Sequence, residues 1–271
     1  MKKLIIFLFV LITYSSLSQK RIGIVGVATA EIMSDLNMTD EVICVDESVK
    51  SIDNFKNKTN LGTDKTTYLQ KLIDLKLSHF ICSDIACTKE EYQKLKKSGV
   101  KIIKLNSKQS IPNIIKNLNL LAKTFGKQDK AKEIENEIKV KQSGIEFASY
   151  MGNSGVKTIY LNIINKDSIF IAGKDTPANS MITIALGKNL CKQKGWKLLK
   201  DQKYKPQLII CNRSGFDLIG GEKNLAFFLS KKGIDVNNTE LYVVNSTHFL
   251  AFGTKMPEEA EKLVSFYSKM K

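Results

Sequence analysis

The sequence predicts an α/β protein of two Rossmann-like lobes, each a mainly parallel sheet flanked by helices, bridged by a long α-helix. Short β-branched runs alternate with helical patterns in both halves of the chain, and no strand pattern is found between residues 111 and 150. Central runs that are apolar on both faces are typical of parallel strands covered by helices. We therefore expect an N-terminal lobe at 19–110, a helical linker at 111–150 and a C-terminal lobe at 151–271.

The first lobe has four predicted strands separated by helices. The strands are expected at 22–27, 41–46, 79–83 and 100–105, and the helices at 29–36, 68–75 and 88–97. Thr29 is expected to cap the first helix, with Glu31 in its first turn, where a carboxylate offsets the helix dipole. Gly26 ends the first strand, where the backbone must turn sharply and a ligand can approach closely.

The predicted linker has helical spacing throughout. Its apolar positions are Ile114, Ile115, Leu118, Leu121 and Phe125. Gly126 is expected to break the helix, and Asp129 to cap a second helix over 131–147. Two lobes joined by rigid helices leave a cleft between them, and open α/β sheets bind ligands at the carboxyl ends of their strands.

The second lobe repeats the alternation of strands and helices. Strands are expected at 156–163, 168–172, 207–211 and 241–244, and helices at 178–186 and 222–229. A last helix is expected to begin with Pro257 in its first turn and to run to the C-terminus.

The amino end has the three-part pattern of a cleaved signal peptide over residues 1–18. Lys2 and Lys3 precede the apolar run LIIFLFVLIT, and SSLS follows, which predicts cleavage near Ser18 and export to the periplasm. The alternative, a membrane anchor, needs a longer span than this run of about ten apolar residues. Because no cysteine follows the run, a lipid anchor is not expected.

The chain is strongly basic, with 42 Lys and Arg against 27 Asp and Glu and a net charge of +15. The lysines are spread along the whole chain, which fits a solvated surface and also suits a carboxylate-bearing ligand. No aromatic-basic cluster or dense arginine stripe is present, so nucleic acid is not an expected partner.

Five cysteines leave at least one thiol unpaired in an exported protein. Cys44, Cys82 and Cys211 lie inside apolar, strand-like runs and are predicted to be core residues. No disulfide is predicted, and the spacing of Cys82 and Cys87 does not form a CxxC metal site.

Sequence motifs of catalysis are absent. The chain has no GxSxG or HExxH, and its two histidines do not complete a Ser–His–Asp arrangement. Gly23 and Gly26 are followed by Ala28, so there is no GxGxxG for a dinucleotide, although Asp46 ends the second strand where a ribose-binding acid would lie. We therefore expect a binding protein and not an enzyme.

The opening stretch RIGIVGVATAEIMSDLNMTDEVICVDES resembles that of the periplasmic binding proteins which serve haem, cobalamin and siderophore ABC importers. This is the helical-backbone cluster, or class III. Three later stretches are most similar to the haemin-binding branch: IAGKDTPANSMITIALGKNLC, PQLIICNRSGFDLIGGEKNLAFF and VVNSTHFLAFGTKMPEEAEKL. The resemblance extends from Lys20 to the end of the chain.

The resemblance implies two lobes bridged by a long helix, with a shallow cleft that moves little on binding. It also implies a monomer that captures haemin, or a related iron chelate, and delivers it to an ABC permease of the inner membrane. Cobalamin or a ferric siderophore is the alternative ligand, and a stand-alone periplasmic haem carrier without a permease is the alternative role.

Two features depart from the family pattern. Members of the haem branch place an iron-binding tyrosine after Val-Gly, whereas here Thr63 follows Gly62 and the nearest tyrosine is Tyr68. Related proteins dock on the permease through one glutamate per lobe. The corresponding positions here hold Gln70 and Asp201.

Candidate ligand residues follow from the chemistry of haem, which needs an axial donor and partners for its propionates. His248, just after a strand of the second lobe, is the leading iron donor, and Tyr68 is the alternative. A hydrogen-bonded surface role for His248 and core packing for Tyr68 stay open. His79, at the start of a strand, is expected to be structural.

The remaining candidates would hold the ligand away from its iron. Arg213 and Lys65 are candidate partners of the propionates, one from each lobe. Gly26, Val27 and Ala28 are small residues whose backbone offers a surface for a flat ligand.

Overall fold

The computed structural model describes residues 20–62, 65–86, 88–152, 155–200 and 203–270. The predicted signal peptide, Thr63 and Asp201 lie outside the described residues. Within them, no helix combines the length and the apolar character needed to cross a membrane.

The first lobe is a five-stranded parallel sheet in the order β3-β2-β1-β4-β5. The strands are β1 (Ile22–Ile24), β2 (Val42–Val45), β3 (Thr59–Asn60), β4 (His79–Ser83) and β5 (Lys101–Leu105). The helices are α1 (Val27–Asp35), α2 (Glu47–Lys50), α3 (Lys65–Asp74) and α4 (Lys89–Lys97), with a 3₁₀ turn at Asp53–Phe55. Every residue of β1 is buried, because helices cover both faces of a central parallel strand.

Two helices connect the lobes, α5 (Ile111–Phe125) and α6 (Gln128–Tyr150). Gly126 ends α5 with φ of 74°, a left-handed conformation that glycine adopts without a steric penalty. The 23 residues of α6 span about 34 Å at the α-helical rise. Helix α6 packs against α5 and against the C-terminal helix α11 (Met256–Lys269).

The second lobe has a mixed sheet in the order β11-β10-β6-β7-β9, with β8 beside β6. Its strands are β6 (Lys157–Ile163), β7 (Ile169–Ala172), β8 (Lys188–Asn189), β9 (Trp196–Leu198), β10 (Leu208–Asn212) and β11 (Glu240–Val244). Its helices are α7 (Pro177–Ile184), α8 (Arg213–Leu218), α9 (Glu222–Lys231), α10 (Ser246–Phe249) and α11 (Met256–Lys269). Strand β7 is antiparallel to β6 and β9, and the other pairings are parallel.

One continuous apolar cluster extends from the first sheet through both linker helices into the second lobe. It contains Ile24 of β1, Leu118 of α5, Ile138 of α6 and Tyr160 of β6, all nearly or fully buried. A wide closing motion would expose part of this shared core, because the lobes do not have separate interiors at this point. The division of the chain at residues 110 and 150 stays a prediction.

The predicted fold class is confirmed, and so is the burial of Cys44, Cys82 and Cys211. The predicted cap at Thr29 is wrong, because α1 begins at Val27 and the Thr29 hydroxyl donates to the carbonyl of Val25. For the same reason Glu31 lies beyond the first turn.

The second linker helix also starts earlier than predicted. Its N-cap is Lys127 and not Asp129, so the helix includes the whole segment from Gln128. The short elements β8, β9, α8 and α10 were not predicted, because too few residues establish a period in them.

Candidate ligand-binding cleft

A cavity of about 240 Å³ lies between the two lobes. On the first lobe it is lined by residues that follow β1, β4 and β5, and on the second by Pro177 and residues 250–252. A larger groove of about 560 Å³ between α6 and α11 is lined by outer helix surface. We take the interlobe cavity as the candidate site, since ligands of α/β sheets lie at the carboxyl ends of strands.

The predicted turn after β1 forms one wall of the cavity. Gly26, Val27 and Ala28 all lie in its lining. Gly26 has φ of 87°, and its amide donates to a carboxylate oxygen of Asp46 at 3.2 Å. A residue with a side chain would be strained at this φ, so glycine is required where the chain turns from β1 into α1.

Three helices direct their amino ends at the cavity. Helix α1 begins in the lining, α7 contributes Pro177, and α5 begins beside the lining residue Gln109. Neither N-cap residue, Gly26 of α1 or Ser110 of α5, caps its helix with its own side chain, and at α1 the Asp46 carboxylate accepts from the Gly26 amide. Because helix amino ends carry partial positive charge, the cavity favours an anionic group, and Lys108 in the lining adds a full charge.

Asparagine side chains shape the loop that carries Lys108. The buried Asn117 side chain accepts from the amide of Asn106 at 3.0 Å and donates to its carbonyl at 2.9 Å. Asn113 donates to the carbonyls of Asn106 and Lys108. Sequence reasoning missed these residues, although the spacing of Asn113 and Asn117 places both on one face of α5.

His248 does not line the cavity; it bridges the lobes. Its Nδ1 lies 2.6 Å from Oε1 of Glu31, whose side chain is 2 % exposed. The other carboxylate oxygen of Glu31 accepts from the amide of Lys255 at 3.0 Å. No described residue is a partner of His248 Nε2, and the side chain is 36 % exposed.

The pKa values of Glu31 and His248 are each raised by one effect and lowered by another. Burial raises the pKa of Glu31, against the lowering effect of the hydrogen bonds from His248 and Lys255. The hydrogen bond with Glu31 raises the pKa of His248, against the lowering effect of burial. A charge-assisted hydrogen bond therefore crosses between the lobes.

Further contacts extend this connection along α1. The Thr254 hydroxyl donates to Asp35 at 2.5 Å, and the Lys255 ammonium lies 3.3 Å from the same carboxylate. We call Glu31, Asp35, His248, Thr254 and Lys255 the interlobe contact. Together they hold the segment after β11 against the first lobe.

Comparison with known proteins identifies the fold. No family model matches the chain. A curated relative, the uncharacterized ABC transporter substrate-binding lipoprotein YvrC of Bacillus subtilis (strain 168), is 24 % identical over 192 residues, 68 % of this chain and 60 % of that protein. The chain thus spans less than two thirds of this relative.

Solved structures match over nearly the whole chain. The periplasmic haem-binding protein RhuT of Roseiflexus sp. RS-1 has a TM-score of 0.79 and 18 % identity, covering 93 % of this chain and 99 % of that one. The fold is that of the periplasmic haem-binding proteins. The periplasmic vitamin B12-binding protein BtuF of Vibrio cholerae shares this periplasmic binding-protein fold, with a TM-score of 0.73, 14 % identity and coverage of 93 % and 97 %.

Two residues of the first lobe have predicted roles, Tyr68 as the alternative iron donor and His79 as a structural residue, and both make edge-on ring contacts. The Tyr68 ring meets Phe80 edge-on, with 6.1 Å between centroids. Tyr68 is partly buried and packs against the apolar cluster of the first lobe that contains Phe80. His79 packs edge-on against Phe125 at 5.3 Å, as expected for a structural histidine.

Of the two predicted partners of the propionates, Arg213 does not line the cavity and the side chain of Lys65 lies outside the described residues. Arg213 begins α8, where it lies 3.6 Å from Asp217 and over the Phe216 ring. Lys65 begins α3, but its side chain is not described.

At the predicted permease-docking position of the first lobe, the exposed Gln70 amide donates to Asp74 at 2.7 Å. Among the described residues, no three His, Cys, Asp or Glu side chains are grouped to hold a metal ion.

Proposed function

We propose that this chain is an exported solute-binding protein, a monomer in the periplasm, that captures haemin and delivers it to an ABC importer. The observation that carries the proposal is a cleft lined by Lys108 and by residues at helix amino ends, at the carboxyl ends of β1, β4 and β5, in a chain with the fold of periplasmic haem-binding proteins. Binding and release, without catalysis, are its function.

The cleft matches the two chemical parts of haemin. Propionates are carboxylates, which the amino ends of α1, α5 and α7 and the ammonium of Lys108 would stabilise. The macrocycle is flat and apolar, and Val25, Val27 and Phe252 offer apolar surface in the lining.

The size of the cavity indicates how the ligand would lie. Its volume of about 240 Å³ is below the roughly 300–1,000 Å³ typical of pockets that enclose a ligand. A macrocycle would therefore lie across the mouth of the cleft, against Gly26, Val27 and Ala28, with one edge in solvent.

His248 is the proposed axial donor, through Nε2. A metal-bound histidine commonly donates its other ring N–H to a carboxylate, and Glu31 supplies that carboxylate here. Thr63 cannot supply a phenolate at the family's tyrosine position, so Tyr68 is the alternative donor. Arg213 and Lys65 are the proposed partners of a propionate outside the cavity.

Two other assignments keep specific support. The shared fold of the vitamin B12-binding BtuF supports cobalamin, and by extension a ferric siderophore, as the alternative ligand. The predicted docking position holds the amide of Gln70 and not a glutamate, which supports a stand-alone periplasmic haem carrier. Copurification with a permease would contradict the carrier.

Visible absorption titration of the mature chain with haemin, cobalamin and ferric siderophores tests the proposal. We expect saturable binding of haemin with a shifted Soret band of the histidine type. His248→Ala should abolish the shift, whereas Tyr68→Phe should leave it nearly unchanged. The reverse pattern would move the iron donor to Tyr68, and indifference of the unmutated protein to haemin would reject haem as the ligand.

A further inference from the structure

One edge of the second lobe carries a set of exposed lysines that the proposed ligand site does not use. We call it the lysine edge, and it consists of Lys157, Lys174, Lys188, Lys194, Lys197 and Lys200. Lys157 begins β6 and Lys188 begins β8. The other four lie after β7 or in and around β9, the strand at one end of the sheet order. None of the six lines the interlobe cavity.

The sheet places two pairs of these lysines directly opposite each other. Lys157 pairs with Lys188 where β6 meets β8, and Lys174 pairs with Lys194 in an isolated parallel bridge. Neighbouring strands lie about 4.8 Å apart, so each pair holds two like charges close together. Such an arrangement is destabilising unless other charges compensate it.

Among the described residues, none of the six lysines forms an ion pair, whereas lysines elsewhere do, such as Lys255 with Asp35 and Lys262 with Glu258. The fold therefore keeps a concentrated positive charge on one edge, which an anionic partner would neutralise.

We infer that the lysine edge binds an anionic membrane surface. The six lysines belong to neighbouring segments of one sheet, at β6, β8, the residues after β7 and around β9, and this extended arrangement matches a plane of lipid phosphates better than a single small anion. Clusters of four to eight basic residues are typical of segments that bind anionic headgroups.

Nucleic acid fits this edge less well. Binding of single strands relies on aromatic rings that stack on bases. Trp196 is the aromatic residue within β9, and its ring packs against Tyr160 with 5.8 Å between centroids. That contact occupies the ring inside the protein.

Vesicle sedimentation tests the inference. The mature chain, beginning at Gln19 so that the apolar leader does not insert, is incubated with vesicles of equal parts phosphatidylcholine and phosphatidylglycerol. We expect binding to these vesicles, none to pure phosphatidylcholine, and release as salt is raised, because screening weakens exposed charges.

A matched pair of variants locates the surface. Lys174→Gln, Lys194→Gln and Lys197→Gln together should weaken vesicle binding about 100-fold, at about 1 kcal/mol for each lysine near an anionic surface. The control removes the same charge from exposed positions of α4, Lys94→Gln, Lys96→Gln and Lys97→Gln, and should reduce binding by less than about fivefold, since net charge acts weakly at a distance.

Several results would overturn the inference. These are no binding to anionic vesicles, equal losses in both triple variants, binding that persists on pure phosphatidylcholine, or tighter retention on single-stranded DNA than on vesicles. The absence of vesicle binding would leave protection against edge-to-edge pairing as the role of the lysines. Haemin titration of the same variants is independent, so failure here and failure of the proposed function are distinguishable.

Discussion

Replacing Glu31 by alanine should destabilise the whole protein, because this carboxylate joins the two lobes. Its side chain is 2 % exposed and accepts hydrogen bonds from His248 at 2.6 Å and from the amide of Lys255 at 3.0 Å. The change removes both bonds and leaves the Lys255 amide without this acceptor.

The expected magnitude follows from those two bonds. A hydrogen bond to a charged group contributes about 1.5–3 kcal/mol, so two contribute about 3–6 kcal/mol. The variant no longer has to bury a carboxylate, and His248, which is 36 % exposed, can regain contact with water. These gains offset part of the loss, and we expect a net decrease of about 3 kcal/mol in the free energy of unfolding. That corresponds to a fall of about 6–12 °C in Tm for a protein of this size.

Denaturant titration followed by circular dichroism measures the loss, and a double-mutant cycle with His248→Ala assigns it. The cycle should give a coupling free energy of about 1–3 kcal/mol, as residues in contact do. Glu133→Ala is the control, since its side chain is 63 % exposed and pairs with Lys130 in the same helix; we expect a change within about 0.5 kcal/mol. A similar small change for Glu31→Ala, or no coupling to His248, would refute the reasoning.

Three further predictions concern packing, protonation and motion. Gly253→Ala should lower the free energy of unfolding by about 1–3 kcal/mol, because a Cβ there would meet the Glu31 carboxylate and lie 2.9 Å from the Ala28 Cα. Gly144→Ala in α6 is the control and should raise it by about 0.5–1 kcal/mol. Equal effects of the two changes in thermal melts would contradict this. Burial, and after it the nearby lysines, lowers the pKa of His79 in the folded protein below 6.5. As the pH falls, the histidine is therefore protonated in the unfolded chain before it is protonated in the folded one. The free energy of unfolding should decrease as the pH drops from about 6.5 toward the folded-state pKa. His79→Asn should remove this loss relative to the unmutated protein when melts at neutral and mildly acidic pH are compared, and a parallel pH dependence would argue against it. Solution scattering with and without haemin should show nearly the same radius of gyration, because α6 and the shared core resist closure, and a large decrease would exclude that rigidity.

Most of the long elements could be predicted from local pattern. The strand expected at 79–83 is found as β4 with the same bounds, and the apolar spacing after residue 111 corresponds to α5, which ends before Gly126. The strand is a short apolar run that is buried on both faces, and the helix is buried on one repeating face; both patterns are visible in a few consecutive residues. The short strands β8 and β9 depend on neighbours in the sheet, so their own residues carried too little pattern.

In the candidate site, too, features set by local sequence could be predicted, and features set by distant residues could not. Gly26 was predicted at the turn beside the ligand because only the backbone conformation at the end of β1 was needed, and it lines the cavity with φ of 87°. The asparagines that shape the loop around Lys108 were missed, since Asn113 and Asn117 have meaning only beside Asn106.

The sequence by itself determined the fold class, the strand-ending glycine, the excess of positive charge and the lack of a tyrosine at position 63. Each of these depends on residue type or on short-range spacing. Only the tertiary structure decided the partner of His248, because Glu31 is 217 residues away in the chain and its burial comes from both lobes. The strength of that contact depends on exclusion of water by residues from distant segments, and no local pattern in the sequence records which segments those are.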